Sequence, residues 1–262
     1  MTGEDISVPI RDAEADDNAA LVTSVRDAVA DDLHTLAALH DREVGQDLLT
    51  YLHVSDFPAA MALGNVSKQV RDDASLLTGA LADIGDTPGA WVLDELAADY
   101  AAIYLNHTYH VSPCESVWAD PEGLALQDAT FQIRSWYRRF GLAVGNWRIR
   151  SDDHLVVQLH FLEILLRRKD DIDIAEIALF MDEHLLRWLP TFASTVAERC
   201  TTRFYATVAV LTSSYCEDVR DLMADIIGEP RPTAEEIEQR MKPKPDQQAA
   251  PAHFHPGSGP SW

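Results

Sequence analysis

Cys114 and His154 are the residues that most readily suggest covalent chemistry, since a thiol becomes a nucleophile when an imidazole takes its proton. A hydrolase on that pattern also needs an orienting third group and donors for an oxyanion, and no segment supplies an identifiable set. His107, His110 and Cys114 cluster locally, but one thiol and two imidazoles at these intervals match no closed zinc pattern. His253 and His255 could pick up metal adventitiously, without a supporting shell. Neither G-x-x-x-x-G-K-[ST] nor G-x-G-x-x-G occurs, which removes the usual nucleotide-binding signatures. The sequence therefore predicts no enzyme, no cofactor and no metal centre. The most pointed polar pair is Asp153-His154, in which a neighbouring carboxylate could keep the imidazole partly protonated near neutral pH. It either meets a bound peptide, directly or through water, or ties the 107–122 loop to a helix start.

The elements that must position these groups read as helices throughout. Long Ala/Leu/Asp/Arg-rich runs lack the two-residue alternation of strands, which predicts an all-α bundle of about ten helices. Leu21, Val25, Val29, Leu33 and Leu36 recur at helical steps from Asp12 to about His40. Shorter or longer helices are expected over 46–53, 66–84, 90–106 and 123–140. A further one opens at Asp152-Asp153, whose carboxylates suit free N–H groups at a helix start. Helices over 172–188 and 191–199 are expected to break at Pro190, and a last long one runs over 203–227. The segment 107–122 reads as a long loop with Pro113 and Pro121. Residues 1–11 are expected to be a flexible arm, 12–228 one domain, and 229–262 a Pro-rich flexible tail with a short helix at 233–241.

Charge narrows the class of partner. The formal net charge of −22 in 262 residues argues against nucleic acid, which needs clustered Lys/Arg. It suits either a high-salt habitat or a basic partner. No apolar run reaches the length of a membrane span, and the N-terminus has no secretory signal. The three cysteines, Cys114, Cys200 and Cys216, fit free thiols, so a cytoplasmic protein is expected, without stable membrane insertion.

Tyr100-x-x-Ile103-Tyr104, then Pro113-x-x-Ser116-Val-Trp118, then Asp153-His154-Leu155 resembles the TorD/DmsD family of cytoplasmic redox-enzyme maturation chaperones. The segments Phe161-Leu162 and Met181–Phe192 are also similar, so the resemblance covers roughly residues 20–225. It implies a single all-α domain that binds the apo catalytic subunit of a molybdopterin oxidoreductase, its twin-arginine leader, or both. It further implies client- or leader-binding roles for Tyr100, Ile103, Tyr104, Pro113, Ser116, Trp118, Asp153 and His154. Asp152 and Gln158 depart from the family pattern. Alternatives are a chaperone for a leaderless nitrate-reductase-type subunit and a non-catalytic helical regulator; monomer and dimer both remain open.

Overall fold

The computed structural model describes residues 10–120, 122–146, 148–168 and 172–242, with side chains from residue 20 onward. Residues 1–9 of the arm expected over 1–11, and the expected tail beyond residue 242, lie outside the described residues. The chain divides into two compact units, Met1–Arg231 and Pro232–Trp262.

In the first unit the order is α1 (Ile10–Asp41), α2 (Gln46–Val54), α3 (Lys68–Ile84), α4 (Ala90–Tyr100), α5 (Glu115–Ala119), α6 (Asp128–Arg139), α7 (Leu155–Arg167), α8 (Ile174–Phe180), α9 (Leu186–Arg199) and α10 (Arg203–Ile227). Wide π turns follow α4 at Ala101–Leu105 and α8 at Met181–Leu185. The second unit contains α11 (Ala234–Met241), started by a capping box in which Thr233 and Glu236 satisfy each other's backbone N–H. The described residues form no β-strand, so the all-α class expected from the sequence is the observed one.

Three helix pairings make the core of the first unit. α1 packs on α7, and α10 packs against both α3 and α9. Leu33 and Leu36 of α1 and Leu155, Leu159, Leu162 and Leu165 of α7 are all buried. Each such leucine contributes about 1.5–3 kcal/mol through removal from water. On α10, Phe204, Tyr205, Val208, Leu211 and Tyr215 are buried along one side of the helix.

Several expectations need correction. Ile10 and Arg11 belong to α1 rather than to an arm. α3 starts at Lys68, because the Ser67 side chain accepts from Val70 N at 3.1 Å and closes the helix start. Val66 is consequently outside the helix and exposed. The helix expected from residue 123 starts at Asp128, since Gly123 and Leu126 have φ of 68° and 60°, which an α-helix does not admit. Leu126, within the span expected to be helical, is exposed. The segment 107–122 is not loop throughout but holds α5. Pro190 does not break its helix; it lies inside α9. The π turn immediately upstream already shifts the hydrogen-bond ladder, so the proline's missing N–H falls beside an existing discontinuity.

Candidate functional site

The motif segments meet where α5 approaches the start of α7. Pro113 O accepts from Leu155 N at 2.8 Å, and Glu115 N donates to Asp153 O at 3.1 Å, so strands of loop backbone pair locally around Cys114 and His154. The Asp153 carboxylate is fully buried. Its Oδ2 accepts from Ser116 N at 2.9 Å, at the start of α5, and Ser151 donates to its Oδ1. It caps α5, therefore, not the helix it precedes. The cap of α7 is His154, whose Nδ1 accepts from Val156 N at 3.1 Å. Burial, followed by the nearby Arg150 charge, drives the His154 pKa down to about 3, so the ring is neutral rather than partly protonated. Between the two readings left open for Asp153-His154, these contacts perform the tying of loop to helix.

Ser116 is fully buried, and its Oγ accepts from Leu126 N at 3.2 Å. Trp118 is only partly buried. Its indole N–H donates to Ser112 O at 2.8 Å and its ring packs edge-on against Phe192, with centroids 6.4 Å apart. Asp152 pairs with Arg134 at 2.6 Å, and its carbonyl accepts from Tyr137 OH at 2.8 Å.

The tyrosines and Ile103 form a second group, at the end of α4. Ile103 is entirely buried. Tyr100 OH donates to Asp41 O at 2.7 Å, and Val44 N donates to Tyr205 OH at 3.3 Å. Both bonds hold the connection from α1 into α2. The Tyr100 and Tyr104 rings lie 4.8 Å apart, with Tyr205 6.2 and 6.3 Å away. Tyr104 OH meets His40 Nδ1 at 2.5 Å, while His40 Nε2 lies 2.9 Å from Thr212 Oγ1. The Thr212 hydroxyl donates to Val208 O, so it accepts from His40 Nε2–H, and Nδ1 is left to accept from Tyr104. Burial lowers the His40 pKa to about 3, in keeping with a neutral ring.

Sequence reasoning missed a buried polar network behind the loop. Glu115, fully buried, takes its Oε1 to His184 Nδ1 at 3.0 Å and its Oε2 to Gln158 Nε2 at 3.1 Å. Gln158 Nε2 also donates to Asp153 O. Gln158, noted as a departure from the family pattern, is thus the link between α5 and α7. A bidentate buried pair, Arg220 to Asp182 at 2.8 and 2.7 Å, joins α10 to the π turn beside it. Apart from Gln158, the sequence signal lay in the family-like segment that carries His184.

The thiol–imidazole reading fails on electrostatics. Burial and the Asp153 charge push the Cys114 thiol up to about 12, away from a thiolate, and the His154 Nδ1 is already engaged by backbone. His107 is likewise engaged, its Nδ1 donating to Val111 O at 3.0 Å.

Residues of α2 and α3, with the turns that follow each, line a cleft of about 450 Å³. Leu49, Leu52, Phe57 and Leu81 give it an apolar lining, and His53, Asp56 and Asp86 add polar groups. Gln46 Nε2 donates to Asp86 O at 2.7 Å and joins the start of α2 to the turn after α3.

The family model described as nitrate reductase delta subunit matches residues 65–194, a span that contains Ser116, Asp153 and His154 and all of Glu115, Gln158 and His184. The chain is similar to the chaperone protein TorD of Vibrio vulnificus (strain YJ016), 25% identical over 190 residues, covering 69% of this chain and 87% of that protein. It is also similar to TorD of Vibrio cholerae serotype O1 (strain M66-2), 27% identical over 207 residues and covering 74% and 91% of the two. Over a shorter stretch of 116 residues, TorD of the El Tor Inaba strain N16961 is 34% identical, covering 41% of this chain and half of that protein. The relatives are chaperones by name, and the span matched by the family model carries Ser116, Asp153 and His154: together they support assignment of the chain to the TorD/DmsD family of redox-enzyme maturation chaperones, a family of chaperones rather than enzymes.

Proposed function

We propose that this chaperone acts in the cytoplasm on the apo catalytic subunit of a DMSO-reductase-family molybdoenzyme, engaging its twin-arginine leader until the cofactor is inserted. The observation that carries this reading is the α2–α3 cleft, an apolar slot with Asp56 and Asp86 among its lining residues. A leader with paired arginines followed by an apolar run needs both features, since guanidinium groups seek carboxylates and the apolar run seeks a groove. The charge of −22 draws such a segment in. Tyr100, Ile103 and Tyr104 contribute by fixing the connection into α2, one wall of the cleft. Pro113, Ser116, Asp153 and His154 hold the loop that presents Trp118, a partly exposed anchor for the mature part of the client.

Fluorescence anisotropy with a labelled leader peptide tests this. Tight binding that weakens when the arginine pair is replaced by lysines, and again in Asp56→Asn with Asp86→Asn, supports it. Equal binding of all peptides by both proteins would remove the cleft from the reading. The nitrate reductase description of the matching family favours a second reading, in which the client has no leader. Capture of a leaderless apo-subunit together with indifference to the peptide would select it.

A further inference from the structure

On the α1–α7 face, away from the motif residues, two imidazoles and a carboxylate converge. His34 projects from α1, while His160 and Glu163 lie three residues apart on α7. Glu163 Oε2 lies 3.1 Å from His34 Nδ1 and 2.9 Å from His160 Nδ1. The ligand atoms of all three fall within 4.8 Å of one another. Ligands held at about 2.1 Å around a tetrahedral zinc ion sit roughly 3.4 Å apart. The two nitrogen–oxygen separations already approach that value, and side-chain adjustment of the histidines brings the nitrogens together.

We propose that His34, His160 and Glu163 form a binding site for a borderline divalent cation, zinc in particular, which clips α1 to α7. Two imidazoles and one carboxylate make a donor set that suits zinc better than magnesium or calcium, which prefer oxygen ligands. The remaining coordination position is open to water, because His34 is largely exposed. Arg167 Nε binds the other carboxylate oxygen of Glu163 at 3.2 Å, and its Nη2 reaches Asp31 at 2.7 Å. That contact turns Oε2 towards the histidines and balances the arginine charge with Asp31. Without metal each Nδ1–H donates to Glu163 Oε2; on metal binding each neutral ring changes tautomer, its single proton passing through solvent from Nδ1 to Nε2, and Nδ1 binds the ion. The helices that carry the ligands are already packed on each other, so the site costs little ordering.

Zinc binding by the full-length chain is measured by competition with a chromogenic chelator, and cobalt is used as a visible probe of geometry. One equivalent of zinc, cobalt bands typical of four or five ligands, and a rise in melting temperature with zinc are expected. All three are lost in His34→Ala and in His160→Ala, while folding, followed by circular dichroism, is retained. His253→Ala with His255→Ala serves as the control for the tail and leaves binding unchanged. No binding by the unaltered chain overturns the proposal. Binding that survives both α1–α7 variants and disappears with the tail variant does so too.

Discussion

At the scale of single residues, the motif positions are mostly structural linchpins, and their chemistry is that of satisfied buried groups. Asp153→Ala leaves Ser116 N–H and the Ser151 hydroxyl without their shared carboxylate. Losing hydrogen bonds to a buried charge costs about 2–3 kcal/mol, read as a lower denaturant midpoint with an unchanged slope. Tyr104→Phe strands the buried Nδ1 of His40, at a cost of about 1–3 kcal/mol. His40 and His154 also set a pH dependence. Both have folded pKa values near 3, well below the usual imidazole value, so the unfolded chain binds protons that the folded chain refuses. Their contribution is full above about pH 6.5 and is lost on acidification towards pH 3, by up to about 1.4 kcal/mol per pH unit for each ring. Asparagine is a strong helix N-cap without a titrating group, so His154→Asn is expected to keep α7 capped and flatten that acid limb. Unfolding midpoints measured across this range check it; an unchanged slope would show that His154 takes up its proton when folded.

At the scale of elements, local signals were legible and non-local ones were not. α10 was readable to its ends because an apolar stripe runs into Gly228, whose φ of 76° stops it. Leu126 was misassigned because its apolar character fits a helical stripe, while its left-handed backbone leaves no trace in the residue type. The π turns are equally silent, being shifts in hydrogen bonding with no residue signature. The network of Glu115, Gln158 and His184 joins residues 43 and 69 positions apart, and no pattern within one helix reports it. The Asp153-His154 motif was noticed, but its direction was not: the carboxylate caps the helix across from it and the imidazole caps its own. One local device is readily tested. Ser67→Ala removes the cap of α3 and is expected to lower stability by about 1 kcal/mol in thermal unfolding, with the fold retained.

At the scale of the molecule, long-range charge and local contacts have separate parts in the proposed function. The contacts of Asp153 and His154 hold the loop that carries Trp118, and on the proposed reading a charge of −22 speeds the arrival of a basic segment. Raising salt is therefore expected to slow leader association far more than it speeds dissociation, as stopped-flow measurements at low and high ionic strength would reveal. The most direct trial of the chaperone account is co-purification of the tagged full-length chain from its native host, grown so that a molybdoenzyme is expressed, with the partners identified by mass spectrometry. Recovery of a molybdopterin oxidoreductase catalytic subunit lacking its cofactor is the expected result. A preparation free of any such subunit, while that subunit is present in the same cells without its cofactor, would contradict the account.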